Sequence, residues 1–272
     1  MTEEQAFYVP DRGGFVGTVL AQGAWDVSSQ TGVAVLALLG HVLEDIPTLA
    51  PMGLARITVD MVRPVPIHRR LTVTSSVIRE GKKLQVLDLA VMVDDVEHAR
   101  ARVLRLRDAD VSGEPGMPPS TTEHDPASAM LPPEALSELP TDRGPGMMRA
   151  LDLRRSLVGE GDTYGYWVRL RVPVVAGEPV RPTSLQTVAV DFTNCIGAVI
   201  NPSVATTINP DVSAQFLRPP TGEWLAIVGD TRFGHTVGRG ISAATLSDRD
   251  GVFAATSAAQ LVQPVPRADR SD

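Results

Sequence analysis

Two stretches of the chain follow one layout, and one of them carries a carboxylate the other lacks. Residues 187–218, TVAVDFTNCIGAVINPSVATTINPDVSAQFLR, set Asp191 ahead of an apolar, helix-like run and end on a strand at Arg218-Pro219. Residues 31–64, TGVAVLALLGHVLEDIPTLAPMGLARITVDMVRP, repeat that layout as far as Arg63-Pro64. The Arg-Pro pairs lie 218 − 63 = 155 residues apart, and at this offset Asp191 falls on Leu36. A carboxylate can exchange a proton with a bound molecule, or it can cap a helix by accepting from its free N–H groups. Both readings of Asp191 stand, and its addition to only one copy marks where function lies.

Other reactive residue types give less. Arg63 and Arg218 each precede proline at a strand end, where a structural ion pair or a phosphate contact is open to them. Asn209, in Ile208-Asn209-Pro210-Asp211, is a natural turn residue, and Gln260 reads equally as site or surface. Cys195 reads as a small buried apolar residue, and His41 as a satisfied core histidine. The chain has no G-x-S-x-G, H-E-x-x-H, C-x-x-C, P-loop or G-x-G-x-x-G, and its 5 histidines are scattered. A serine nucleophile elbow, a zinc site and a dinucleotide site are therefore not expected.

Composition narrows the class further. With 272 residues the chain can bury a large core in one or two domains. A net charge of −7 argues against nucleic acid or an anionic membrane as the main partner. One cysteine forms no internal disulfide. The N-terminal MTEEQAFYVPDRGG lacks a signal-peptide pattern, and no apolar run approaches the roughly 20 residues of a membrane helix. A cytoplasmic location is the expectation.

Several elements must position the carboxylate. Phe7–Pro10 and Phe15–Leu20 flank a Gly-containing turn and predict a hairpin. Val33–Leu43 is apolar on nearly every side, as in a buried helix. Strands are expected at Leu54–Val62, Leu71–Arg79, Leu84–Val93 and His98–Arg107, with a bulge near Val103–Leu104 where the alternation changes phase. Between Glu114 and Pro145 eight prolines and little periodicity predict a linker. In the second half a strand at Tyr164–Pro173 precedes a helix over Ser184–Ile200. Strands follow at Val212–Leu217, Glu223–Arg232, Arg239–Leu246 and Val252–Val262. At the offset of 155, Thr58–Pro64 falls on Ser213–Pro219, and the plan is a duplication.

A long helix wrapped by an antiparallel sheet, built twice, resembles the double hot-dog acyl-CoA thioesterases of the thioesterase II (TesB-like) type. FYVPDRGGFVGTVLAQGAWD, LARITVDMVRPVP, YWVRLRVPVVAGEP, AVDFTN and INPDVSAQFLRPPTGEW carry the resemblance, which covers nearly all of the chain outside 109–148. It implies an α+β double hot-dog: one domain over 1–108, a Pro-rich linker over 109–150 and a second domain over 151–272. It also implies hydrolysis of acyl-CoA to free acid and thiol, with no metal or redox cofactor, in a homo-oligomer of two or more chains. The acyl chain would lie between the two helices, with pantetheine entering at the domain junction.

The family's water-activating set is an Asp at the second helix with a Thr or Ser and a Gln, and a helix N-terminal N–H polarises the thioester oxygen. Asp191 takes the Asp position as general base. Asn194, one turn on, would face the substrate. Counting back from Arg218-Pro219 puts Asn209 at the hydroxyl position. The Gln position falls at Ala259, so Gln260 serves only if a bulge restores the phase. Thr31-Gly32-Val33 stands where relatives have His-Gly-Gly, which makes Gly32 a substrate contact, and Arg218 would meet a CoA phosphate. Two other classes compete. Hot-dog hydratases need a His five residues after the Asp, and Ile196 stands there. A non-catalytic acyl-CoA-binding protein would keep the fold without turnover.

Overall fold

A computed structural model describes residues 5–24, 26–117, 125–140, 144–160, 163–193 and 204–265. In the first half β1 (Tyr8–Asp11) and β2 (Gly14–Gly17) form the hairpin, turning through Arg12 and Gly13, both at positive φ. After it come α1 (Gly32–Leu43), β3 (Met52–Met61), β4 (Arg70–Arg79), β5 (Leu84–Val93) and β6 (Val96–Arg107). The proline-rich crossing holds two 3₁₀ turns, Pro126–Ala129 and Pro133–Ala135, and the short α2 (Gly146–Arg149). The second half contributes β7 (Leu151–Leu157), β8 (Tyr164–Leu170), α3 (Pro182–Val188), β9 (Ala205–Ile208), β10 (Asp211–Phe216), β11 (Leu225–Gly234), β12 (Arg239–Asp248) and β13 (Gly251–Pro264).

Duplication is visible residue by residue. β4 and β5 map onto β11 and β12 at the offset of 155 with identical bounds, and β6 begins at Val96 where β13 begins at Gly251. All these strands join one sheet in the order β1-β2-β4-β5-β6-β3-β10-β13-β12-β11-β8-β7, with β9 on β13. The two copies meet where β3 pairs antiparallel with β10, and Thr58 lies opposite Ser213. Their hydroxyls are 2.9 Å apart and 155 positions apart in sequence, so equivalent residues of the two copies touch on the pseudo-twofold axis.

α1 is buried along nearly all its length, as a run apolar on nearly every side requires. Thr31 caps it, accepting from Val33 N–H at 3.4 Å. It packs against α3 at Gly40, where an added Cβ would fall 2.6 Å from the Thr183 carbonyl oxygen. That contact needs glycine. At the other end Arg105 reaches in from β6 to donate to the carbonyls of Leu43 and Ile46, satisfying acceptors that the helix C-terminus leaves open.

Arg105 also corrects the predicted bulge near Val103–Leu104. Residues 99, 101, 103 and 105 all face inward in one phase, and the inward member at 105 is a charged side chain. The register shift lies on the partner strand, between Leu54 and Arg56. The second helix also differs from its expected span. It starts at Pro182, where proline's fixed φ suits the first turn, and stops at Val188. A 3₁₀ turn over Val190–Phe192 follows. The rest of the expected helix, with Asn194 and Cys195, lies outside the described residues. His41 is buried and not fully satisfied: Nε2 lies 3.3 Å from Glu178, and Nδ1 has no partner among the described residues.

Candidate active site at the junction of the two halves

Asp191 sits in the 3₁₀ turn after α3, whose own cap position is Arg181, and the run that follows Asp191 lies outside the described residues from 194 to 203. The carboxylate meets the N-terminus of α1 from the other half. A Cβ added at Gly32 would lie 2.5 Å from Asp191 Oδ1 and 2.6 Å from its Cγ. The carboxylate therefore occupies the space a side chain at position 32 would fill. It accepts from the Val33 N–H and from Asn209 Nδ2, the latter at 2.8 Å.

Burial dominates its protonation. Asp191 is 8% exposed, and desolvation raises its pKa above the usual carboxylate value against the opposing bonds from Asn209 and Val33. A carboxyl held this way is a stronger base than a solvated one, and it has two donors to fix its orientation.

Asp191 opens onto a cavity of about 290 Å³. The cavity's apolar wall includes Val33, Val35, Met61, Val65, Met147 and Ile208, and its rim carries Asp26, Ser29, Gln30 and Arg63. Both halves contribute: residues 23–65 from one, Asp191 and 208–210 from the other, and Met147 from the end of the linker. Gln30 is pinned by two bonds, accepting from the Tyr8 hydroxyl at 2.7 Å and donating to the Pro66 carbonyl at 2.8 Å. Arg63 anchors on the Glu97 carbonyl at 2.8 Å while its side chain stays exposed.

Of the residues singled out in the sequence, Asp191, Asn209 and Gly32 come together at this cavity. Gln260 faces the interior because β13 carries an extra residue opposite Leu246 and Ser247. That irregularity turns Gln260 inward in phase with Thr256 and Ala258, and turns Ala259 out. Gln260 does not line the cavity, and its described hydrogen bond is to Ser242. Two residues back on the same face, Thr256 meets Thr193, which closes the turn holding Asp191.

Arg218 lies away from the cavity. It forms a bidentate pair with the fully buried Asp248 at 2.6 and 2.7 Å and donates to the Gly251 carbonyl, which holds the last hairpin. Burial works upward on the Asp248 carboxyl, and Arg218 with the N–H groups of Thr221 and Asp250 outweighs it, so Asp248 stays below the usual carboxylate range. A guanidinium engaged this way is not available to a phosphate.

Met147 escaped the sequence reading, because a methionine in a proline-rich crossing carries no periodic signal. Tyr8 and Gln30 escaped it too, since their pairing across 22 residues is a tertiary fact. Among the described residues no group of three or more His, Cys, Asp or Glu could hold a metal ion, and no helix is long and apolar enough to cross a membrane.

Comparison with known proteins agrees with this architecture. The acyl-CoA thioesterase N-terminal domain profile matches residues 21–106, and the C-terminal domain profile matches residues 127–262. Among solved structures, a hot-dog-fold protein from Alicyclobacillus acidocaldarius superposes with a TM-score of 0.67 at 16% identity, covering 97% of this chain and 98% of that one. A tesB protein of Mycobacterium avium subs paratuberculosis gives 0.65 at 17% identity, covering 93% and 94%. An acyl-CoA thioesterase II, TesB2, from Mycobacterium marinum gives 0.64 at 14%, covering 93% and 98%. No curated protein sequence matches the chain. The solved structures establish the double hot-dog fold, and the two domain profiles, in order and spanning both halves, establish that this chain belongs to the acyl-CoA thioesterase family.

Proposed function

We propose that this thioesterase hydrolyses acyl-CoA with Asp191 as general base for an attacking water. The observation that carries the reading is a buried carboxylate, held by Asn209 and the α1 N-terminus, facing an apolar cavity. The acyl chain lies along the wall of Val33, Val35, Met61 and Met147, and Arg63 at the rim offers a cation to the phosphates of CoA. Asp191 takes a proton as the water oxygen bonds to the thioester carbon. The negative charge that develops on the carbonyl oxygen is met at the positive end of α1, where no described residue accepts from the Gly32 N–H. Collapse breaks the C–S bond, and the proton held on Asp191 passes to the departing sulfur. Asn209 keeps the carboxylate in position.

Thiol release across acyl-CoAs from acetyl to palmitoyl tests the proposal, with Asp191→Asn beside the parent protein. The parent should turn over one range of chain lengths, and the variant should lose 100-fold or more, on the order expected for removal of a general base. Because the pKa of Asp191 in the unliganded fold is raised, kcat/KM should fall as pH drops through a value above the ordinary carboxylate range. The same sign makes ionised Asp191 a cost to folding above the unfolded pKa, so Asp191→Asn should melt no lower than the parent at neutral pH. Unchanged turnover in a folded Asp191→Asn sinks the assignment. Saturable acyl-CoA binding without turnover in the parent makes the protein a binder.

A further inference from the structure

Resting on that reading, we propose that the Thr31 hydroxyl is a catalytic group of this site, donating to the thioester carbonyl oxygen as negative charge forms on it. Thr31 is 7% exposed and lines the cavity. Its Oγ1 accepts from Val33 N–H at 3.4 Å, and the Asp191 carboxylate accepts from the same N–H. Both oxygens therefore flank one hydrogen at one end of α1, and a molecule bound beside Asp191 lies within reach of Thr31.

The polar side chains nearest Asp191 already have partners: Ser29 Oγ donates to Asp26 at 2.8 Å, one Gln30 Nε2 hydrogen goes to the Pro66 carbonyl and one Asn209 Nδ2 hydrogen to Asp191 itself, while Arg63 stands at the rim. A carboxylate only accepts. The Thr31 O–H has no acceptor among the described residues, because the one bond described for this hydroxyl uses it as acceptor. It is a nine-tenths-buried donor on the wall of the cavity, beside the base. An oxygen that gains charge there needs donors already in place, and Thr31 O–H beside Gly32 N–H forms such a pair. The charges are compatible: Asp191 has become neutral by taking the water's proton when the carbonyl oxygen turns negative. No covalent bond to Thr31 forms, and its proton stays on the hydroxyl.

The test separates this role from helix capping, which Thr31 also performs. Serine and glycine both stand in for threonine at a helix cap at little cost, and only serine restores a side-chain donor. Thr31→Ser, Thr31→Gly and Thr31→Val are compared for kcat, KM and melting temperature, using the acyl-CoA that the parent hydrolyses best. Thr31→Ser should stay within a fewfold of the parent. Thr31→Gly should melt close to the parent yet lose on the order of 100-fold in kcat with KM little changed, and Thr31→Val should lose as much. Parent-like kcat in folded Thr31→Gly or Thr31→Val overturns the proposal and leaves Thr31 a cap. An acyl adduct on Thr31 in quenched reactions overturns it also, making the residue a nucleophile. A parent that hydrolyses none of the acyl-CoAs overturns the hydrolytic reading itself and this role with it, a result distinct from active variants.

Discussion

At position 32 the missing side chain makes room for the proposed base. The Asp191 carboxylate fills the space a Cβ would need, with Oδ1 2.5 Å from the position of that atom, so Gly32→Ala must push Asp191 away from the Val33 N–H. Displacing a reacting group by about 1 Å costs on the order of 100-fold. Gly32→Ala should therefore lose most of kcat while the fold survives, since alanine suits a first helical turn. A crystal structure of the variant with Asp191 unmoved, or full activity, contradicts this. The chemistry at this scale was partly legible beforehand. Asp191 stood out because its counterpart in the other copy is Leu36, and Asn209 and Gly32 stood out by position. What Asp191 touches was not legible, because its partners lie on another half of the chain.

Elements place those residues through interactions that a reading by periodicity misses. Arg105 shows why. The alternation of β6 suggests a slip, because an inward arginine breaks the apolar pattern that marks a strand's buried face. The strand keeps its phase, and Arg105 serves α1, donating to the carbonyls of Leu43 and Ile46 and to Gln85. Burial draws its pKa down, with Glu44 and Glu80 opposing. Arg105→Met keeps the stem and removes the donors, leaving buried carbonyls unsatisfied. It should cost about 3 kcal/mol in denaturant unfolding and leave KM for acyl-CoA close to the parent's. A loss below about 0.5 kcal/mol would show that these carbonyls find water instead. In β13 the opposite held: one extra residue opposite Leu246 and Ser247 brings Gln260 to the inner face. A bulge in a strand of alanines, serines and threonines has no signature in composition.

Across the whole molecule, the seam between β3 and β10 makes two hot-dogs one sheet, and the cavity draws its walls from both sides of that seam. Neither half contains the whole cavity lining. A chain cut between Pro119 and Ser120 should give two pieces that are inactive apart and regain thiol release when refolded together. The uncut protein should unfold in one transition. Two separated transitions, or activity in the second half alone, would contradict a shared core. The duplication, the buried first helix, nearly every strand and the one added carboxylate can be read from the order of residues alone. Each of these is written in local periodicity or in the comparison of one copy with the other. That Asp191 faces the N-terminus of α1, that Thr31 and Met147 join it at one cavity, and that Arg218 does not, became visible only in the folded chain. Those facts depend on which residues meet across the β3–β10 seam and on single-residue shifts of register, and side chains far apart in the chain carry no mark of their eventual neighbours.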